Sequence, residues 1–270
     1  FIHTTTGKME FYDGSLWQEI TDTASSYSPG LIPSANFNVV LNTSPSTSQS
    51  IAAGFTPDAV WIKGYNIGSG NPTSWGQYDT VRGSGKALQS DNSDAEYDYS
   101  GHPAGDLGMD FTSTGYDTPP VVNNNINNSS DDYVSYFWKA GGAATTIASG
   151  TNGSTVASEV SANQAAGFSI VKYTTAGVQT ISHGLSKAPE IIINKIYNAA
   201  VNWNVYTQTT GTGHLLKLNL TDATAADSVF MTAVGADTFS TKWSDSSYNY
   251  INYCWHSVPG YSKIGFFIGN

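Results

Sequence analysis

Apolar and polar residues alternate with a period of two along much of the chain. In "DDYVSYFWKAGG", Val134, Tyr136 and Trp138 form one set of alternate positions, which is the pattern of a β-strand with two distinct faces. The runs "AVWI" from Ala59 and "IIIN" from Ile191 are continuously apolar, as in central strands that are covered on both sides. No long segment has the 3.6-residue period of an amphipathic helix. The pattern therefore predicts an all-β protein built from many short antiparallel strands.

Blocks of the first half recur in the same order in the second half. "WGQYDTVRGSGKALQSDNSDAE" from Trp75 aligns without a gap with "WNVYTQTTGTGHLLKLNLTDAT" from Trp203. "NFNVVLNT" resembles "GFSIVKYT", "PDAVWIKGY" resembles "PEIIINKIY", and "DDYVSYFWKAGG" resembles "YNYINYCWHSVPG". Four blocks in the same order indicate a duplication.

The last of these pairs points to a core. The large side chains on one face of the strand are kept in both copies, while the other face changes freely. We therefore predict that the kept face is buried in each copy. Its residues are Val134, Tyr136 and Trp138 in the first copy, and Ile251, Tyr253 and Trp255 in the second.

Shifts in composition divide the chain into six segments. Several short strands per copy, with turn signals at short intervals, predict tandem antiparallel β-sandwiches of jelly-roll type. An Asp-Gly turn near the start predicts a β-hairpin that attaches the chain, and stretches rich in small and polar residues predict linkers. The segments are the hairpin (1–20), a linker (21–34), the first module (35–142), a second linker (143–166), the second module (167–264), and residues 265–270, which begin a third module or form a terminal strand.

The charge of the chain narrows the classes of partner. Among 270 residues, 21 are Asp or Glu and 11 are Lys or Arg, for a net charge of -10. A phosphate backbone or an anionic membrane surface would be repelled, so we expect no nucleic-acid partner and no membrane insertion. Cys254 is the lone cysteine, so the fold must be held by packing, or by packing together with oligomerisation.

Several motifs resemble those of tailed-phage proteins. "TTTGKMEFYDGSLWQEI" resembles the short hairpin unit of phage tail and fibre proteins. The modules resemble repeats in virion proteins of marine tailed phages, with "DTVRG", a "K-x-L-x-S" strand and a "Y-V-x-Y-x-W-K-A-G" strand. The second copy departs from this pattern, because "YTQTTG" replaces "YDTVRG". The resemblance implies concanavalin- or laminin-G-like sandwiches and a place on the exterior of the phage particle, without enzymatic activity.

On this basis we expect a structural component of a tail fibre, a spike, or a head fibre or decoration protein. Its partners would be other virion proteins and further copies of itself, with a trimer as the favoured state. The alternative is a lectin-like module that binds a host surface glycan.

A glycan site would need aromatic rings that stack on sugars and polar groups that bind hydroxyls. The candidate residues are Trp75, Tyr78, Arg82, Tyr97, Tyr99 and Tyr116. For Trp75 we favour the alternative that it fills the same core position as Trp203, and for Arg82 an ion pair with Asp79 that anchors a loop.

Metal binding and catalysis have weaker support. Asp91, Asp94 and Glu96 form an acidic cluster that could bind calcium, but it lacks the EF-hand spacing and the second copy loses two of the carboxylates. We therefore expect a solvated turn there, and no metal or cofactor. A glycan depolymerase would need two carboxylates beside a cleft. The acids near Asp106 do not recur in the second copy, so no catalytic residue is assigned.

Overall fold

The computed structural model describes residues 10–12, 17–19, 31–45, 47–70, 72–99, 108–120, 126–174, 177–243 and 247–266. Within these ranges the fold is all-β, and every strand pairing is antiparallel, as predicted. Two short 3-10 turns, Pro33–Ala35 and Thr151–Gly153, are the helical elements of the described chain. None of its helices is long and apolar enough to cross a membrane.

The strands of the first half are β1 (Glu10–Tyr12), β2 (Trp17–Glu19), β3 (Phe37–Thr43), β4 (Ser50–Ala52), β5 (Ala59–Ile67), β6 (Gly76–Asp79), β7 (Lys86–Gln89), β8 (Tyr97–Asp98), β9 (Asp110–Phe111), β10 (Gly115–Asp117) and β11 (Asp131–Trp138). The strands of the second half are β12 (Thr145–Ile147), β13 (Ser158–Asn163), β14 (Phe168–Thr174), β15 (Gln179–Ser182), β16 (Ile191–Ile196), β17 (Asn204–Thr207), β18 (His214–Lys217), β19 (Ala225–Ala226), β20 (Ala233–Val234), β21 (Thr238–Thr241) and β22 (Asn249–Trp255).

Each half contains one large sheet and one small sheet. The first large sheet has the order β3-β11-β5-β6-β7-β8, and the first small sheet β4-β10-β9. The second large sheet has the order β12-β13-β14-β22-β16-β17-β18-β19, and the second small sheet β15-β21-β20. From β14 onwards, the second half therefore repeats the strand order of the first. Strands β1 and β2 pair with each other in a separate two-stranded sheet.

The strand registers agree with the sequence repeat. Trp138 in β11 lies opposite Phe37 in β3 and Ala59 in β5. Trp255 in β22 lies opposite Phe168 in β14 and Ile191 in β16. These partners are the ones that the aligned sequence blocks make equivalent.

Three hydrophobic cores lie between four layers of sheet. In the first half, Ile51 and Tyr116 of the small sheet pack with Val60, Tyr78 and Phe137 of the large sheet. In the second half, Ile181 and Phe239 of the small sheet pack with Val171, Ile192 and Tyr250 of the large sheet. The third core joins the two large sheets, and its buried members include Ala59, Leu88, Phe168, Ile193, Trp203 and Tyr253. The layers are therefore small, large, large and small.

Four of the six residues of the kept face belong to this third core or pack against it, namely Trp138, Ile251, Tyr253 and Trp255. Ile251 and Tyr253 are fully buried, but Val134, Tyr136, Trp138 and Trp255 are only partly buried. In β11 the fully buried residues are the alternate ones, including Tyr133 and Phe137. The prediction of a buried face is therefore corrected for the first copy. The kept face of the first large sheet meets the other half at Trp138, whereas Val39 and Leu41 of β3, which lie opposite Tyr136 and Val134, remain 42% and 63% exposed.

The region 143–166, predicted as a linker, also differs from expectation. Strands β12 and β13 lie within it, and β13 pairs with β14 from Glu159 opposite Lys172 to Asn163 opposite Phe168. The segment thus extends the second large sheet. Of the other predicted boundary segments, residues 20–30 and 267–270 lie outside the described residues.

Candidate functional site

The contact between the two large sheets is rich in aromatic side chains. The ring of Trp61 in β5 lies 6.1 Å from that of Tyr253 and 6.2 Å from that of Trp255, both edge to face. Trp138 lies 6.2 Å from Trp255, also edge to face. Such arrangements are favourable beyond the area they bury. The two halves are therefore joined by an aromatic core as well as by the connecting chain.

At one edge this contact opens into a cavity of ≈ 300 Å³. Its walls are Trp61, Trp75, Ser90 and Asp91 from the first half and Leu218 from the second. Leu218 is 40% exposed. The cavity thus combines two indole rings and an aliphatic side chain with a carboxylate and a hydroxyl.

Local structure fixes the position of Trp75 in this wall. Trp75 precedes β6, and its backbone N–H donates to Oδ2 of Asp91 across 3.2 Å. Its ring lies 6.0 Å from that of Tyr136 in β11. Lys63 Nζ lies 3.8 Å from Asp91 Oδ2, with both side chains partly exposed. The indole is therefore held from its backbone and from one side of its ring.

Trp203, the counterpart of Trp75 in the repeat, has a different environment. It is fully buried, and its indole N–H donates to the carbonyl oxygen of Gln89 across 2.8 Å. Its backbone N–H donates to Oδ1 of Asn219, the counterpart of Asp91. Trp75 is only partly buried, and its indole N–H makes no hydrogen bond within the described chain. The tryptophan is therefore enclosed in the second copy and partly accessible to solvent in the first.

Arg82 lies in a buried ion-pair network between the halves. Its guanidinium donates to Asp79 Oδ2 (2.5 Å), Glu96 Oε2 (3.0 Å) and the carbonyl oxygen of Gln77 (3.0 Å). The hydroxyl of Tyr253, from the second half, donates to the same Asp79 oxygen across 2.7 Å. These contacts satisfy the guanidinium inside the protein, so Arg82 anchors the turn and the contact between halves.

Burial and charge act in opposite directions in this network. Burial lowers the pKa of Arg82, but Asp79, Tyr253 and Glu96 together offset this and raise its pKa above the usual value. Burial raises the pKa of Glu96, and the charge of Arg82 opposes this rise. Burial, followed by the charge of Asp79, raises the pKa of Tyr253. Arg82 therefore stays charged, and Tyr253 stays a hydroxyl donor.

The second half keeps the turn but not the ions. In the first half, Arg82 N donates to Asp79 Oδ1 across 2.8 Å. In the second, Thr210 N donates to Thr207 Oγ1 across 3.1 Å. The side-chain oxygen at the first position of each turn thus caps the same backbone N–H.

Lys195 provides a further polar link between the halves. It is fully buried, and its ammonium donates to the carbonyl oxygens of Ser93 (3.1 Å), Ala199 (3.1 Å) and Val201 (2.6 Å). Burial lowers its pKa to about 8, while the charge of Asp94 opposes the shift. Because Ser93 belongs to the first half, Lys195 fixes the loop that follows β7 against β16.

The chain matches a sequence family described as a domain of unknown function, DUF7483, over residues 32–270. It belongs to this family. No curated protein and no solved structure matches the chain. The DUF7483 match spans both halves, so the pair of halves is the unit that the family describes.

Half of the predicted ligand residues of this DUF7483 chain are not available to a ligand. Tyr78 is 2% exposed and Tyr116 is fully buried, and both belong to the core of the first half. Arg82 is held by internal partners. Tyr116, which the sequence offers as a glycan candidate, is enclosed because β10, which contains it, pairs with β4 and β9 over that core.

The other candidates are partly exposed. Trp75 lines the cavity, whereas Tyr97 and Tyr99 stack on each other, with ring centroids 6.2 Å apart. The hydroxyl of Tyr97 donates to Asp94 Oδ2 across 2.7 Å. This contact raises the pKa of Tyr97 to about 12. The pair packs against the core of the first half.

The acidic cluster of the DUF7483 chain is engaged by neighbouring groups. Asp91 accepts from the Trp75 backbone, Asp94 accepts from Tyr97, and Glu96 pairs with Arg82. Among the residues that the structure describes, no group of three or more His, Cys, Asp or Glu side chains could hold a metal ion.

Sequence reasoning missed two walls of the cavity. Trp61 lies in an apolar run that predicts a strand covered on both sides. The pattern therefore indicates a core residue and not the wall of a cavity. Leu218 belongs to the other half, and no spacing along the chain shows that it faces Trp75. The repeat alignment carries a partial signal. Leu218 is the counterpart of Ser90 in the second copy, and both residues line the cavity.

Proposed function

We propose that this chain is a non-enzymatic structural component of the exterior of a tailed-phage particle, which displays β-sandwich modules for attachment to the host surface. The phage-like motifs of the sequence support this proposal. The structural observation that carries it is the aromatic core between the two large sheets, which joins both halves into one stack. A projecting unit of a particle needs this kind of rigidity, because a flexible joint would not hold a binding face in position.

The way the fold is stabilised also suits a virion surface. Three cores replace disulfide bonds, and Cys254 is buried. Burial raises the pKa of its thiol to about 12, so the reactive thiolate is absent at neutral pH. The protein can therefore fold in a reducing cytosol and persist outside the cell without a change of redox state.

We further propose that the halves are two copies of one jelly-roll, concanavalin-like module. The repeated strand order and register support this. In the proposal, the segment that contains β1 and β2 attaches the chain to another virion protein or brings three copies together. Light scattering on the purified chain tests the oligomeric state, where a mass three times the 28.7 kDa of one chain is expected and a monomer would contradict the trimer.

Particles provide the direct test of the proposed function. Mass spectrometry of purified particles should detect the chain, and cryo-electron microscopy should show a four-layer β-stack at the particle surface. Antibodies against the folded chain should label intact particles. Absence of the chain from purified particles would overturn the proposal.

Glycan binding is the second candidate function. The observation that favours it is the open cavity beside Trp75, where an indole that is buried in the other copy remains accessible. A glycan array probed with the full chain tests it, and the absence of binding to every glycan would argue against it.

A further inference from the structure

The cavity beside Trp75 has the shape and chemistry of a subsite for a single sugar ring. We propose that it binds one pyranose ring of a neutral glycan between Trp61, Trp75 and Leu218. This inference rests on the second candidate function above and gives that function a location and a ligand class.

The apolar walls suit the C–H faces of a sugar. A pyranose presents apolar C–H groups on its ring faces, which pack on aromatic rings, and hydroxyls around its edge. The ring of Trp75 packs against that of Tyr136 with centroids 6.0 Å apart, which limits the side-chain entropy that is lost when a sugar ring stacks on it. The cavity of ≈ 300 Å³ lies at the lower end of ligand-pocket volumes, which start at about 300 Å³. It therefore suits one ring, with the rest of a glycan extending into solvent.

The polar groups at the rim suit hydroxyls. The carboxylate of Asp91 accepts hydrogen bonds, the Ser90 hydroxyl, which already accepts from Gln77 Nε2 across 2.8 Å, can donate, and the indole N–H of Trp75 can donate. The net charge of -10 disfavours acidic sugars, because it repels carboxylate and sulfate groups, whereas the charge of Asp91 is offset by Lys63, whose Nζ lies 3.8 Å from Asp91 Oδ2. The preferred ligand is therefore uncharged.

The comparison with the second copy shows what is special about this position. There, Trp203 is fully buried and its indole N–H donates to Gln89, while the uncharged Asn219 replaces Asp91 in holding the tryptophan backbone. The same local motif is thus closed and neutral in one copy, and open with a carboxylate at its rim in the other. The first copy therefore presents an aromatic ring and a carboxylate to solvent where the second copy encloses the ring, and this difference places the proposed subsite in the first copy.

Saturation-transfer NMR and calorimetry with the full chain test the proposal. The probes are the neutral disaccharides cellobiose, maltose, lactose and chitobiose, with digalacturonate as the acidic comparison. At least one neutral disaccharide should bind, and the Kd for digalacturonate should be at least tenfold weaker. Equal or tighter binding of digalacturonate, or no binding of any neutral disaccharide, would overturn the proposal.

Variants locate the binding. Trp75→Ala and Leu218→Ala should each weaken the binding of the neutral disaccharide at least tenfold, and Trp75→Phe should retain part of it. Tyr65→Ala is the matched control, because Tyr65 is an exposed aromatic residue of the same sheet outside the cavity, and it should bind as the wild type does. Near-ultraviolet circular dichroism checks the fold, and Leu218→Ala decides the matter if Trp75→Ala does not fold.

The outcomes separate this inference from the broader proposals. If the wild type binds a glycan but Trp75→Ala and Leu218→Ala bind it equally well, the site is wrong while glycan binding stands. If no glycan binds on the array or in solution, both the site and the glycan-binding candidate are wrong. The structural role in the particle is then judged by the particle experiments described above.

Discussion

His183 is held neutral by its surroundings. It is fully buried and stacks on Phe239. Leu185 N–H donates to its Nδ1 across 3.2 Å, and its Nε2 lies 3.1 Å from the carbonyl oxygen of Gly235. Burial lowers its pKa to about 4, and the hydrogen bond to Gly235 and the charge of Asp237 only partly oppose this. The unfolded chain, with a pKa of about 6.5 at this residue, binds more protons between these values.

We predict that this histidine contributes to acid unfolding. Its contribution is complete above about pH 6.5 and is lost as the pH falls towards 4, so it should amount to about 2–3 kcal/mol between pH 7 and pH 4.5. Urea unfolding at the two pH values measures it. His183→Gln should lose less stability on acidification than the wild type, whereas the exposed control His214→Gln should behave as the wild type. An unchanged pH dependence in His183→Gln would contradict the prediction.

Lys195 and Lys63 occupy equivalent positions with different burial, and they offer a matched pair. Lys195→Met removes the buried ammonium from the carbonyl oxygens of Ser93 and Val201, while that of Ala199 keeps the N–H of Val201, so we expect a loss of about 2–4 kcal/mol in the free energy of unfolding. Lys63 is partly exposed, pairs with Asp91 near the surface and donates to the carbonyl oxygen of Thr73. Lys63→Met should therefore cost less than about 1 kcal/mol. Chemical denaturation of both variants measures the difference, and equal costs would show that burial does not set the role of Lys195.

At the scale of elements, the turn after β6 shows how a repeat acquires a new contact. The turn needs a side-chain oxygen at its first position and positive φ at its glycines, which are +105° at Gly83 and +74° at Gly211. Both copies meet these needs. In the first copy the Asp79 carboxylate, paired with Arg82, also accepts a hydrogen bond from the Tyr253 hydroxyl, whereas the Thr207–Thr210 pair of the second copy carries no charge.

We predict that Tyr253 and the Arg82 pair are energetically coupled. Tyr253→Phe removes a buried donor to Asp79 and should lower the free energy of unfolding by about 1–3 kcal/mol. Arg82→Met leaves a buried carboxylate without its partner and should cost about 3–5 kcal/mol. In a double-mutant cycle measured by urea unfolding, the combined loss should differ from the sum by more than about 0.5 kcal/mol. Additive losses would show that the hydroxyl acts independently, and Thr210→Val serves as a control in the turn without ions.

The sequence predicted the elements better than the segments between them. The period-two pattern and the proline-led apolar runs indicated β5, β11, β16 and β22, and the glycines indicated the turns. The region 143–166 was misread because its strands are rich in Ser, Thr and Ala. These residues form strands because β13 pairs with the edge of the sheet at β14. This tertiary contact overrides the weak strand propensity of the segment.

At the scale of the whole molecule, the sequence did not show which part of the protein the kept aromatic face packs against. Retention of Trp138 and Trp255 in both copies indicates that the face packs against a neighbour, but an alternating pattern does not say what that neighbour is or how fully it covers the face. Each half alone satisfies the pattern with a two-layer sandwich. The cavity could not be predicted for the same reason, because Trp75 and Leu218 come together only when the two large sheets pack face to face. The packing of one half on the other therefore cannot be predicted from the sequence pattern of either half alone.

This packing predicts that the two halves unfold together. Trp255 contacts Trp61 and Trp138 of the first half and Phe168 of its own. Trp255→Ala should therefore lower the free energy of unfolding by about 2–4 kcal/mol, and calorimetry should still show a single transition. Hydrogen exchange should report lower protection in β5 of the first half as well as in β16 of the second. Phe266→Ala, at a residue that is 71% exposed, should change stability by less than about 0.5 kcal/mol. Two separate transitions, or a loss of protection confined to the second half, would show that the aromatic contact does not couple the halves, and would remove the rigidity on which the proposed display role depends.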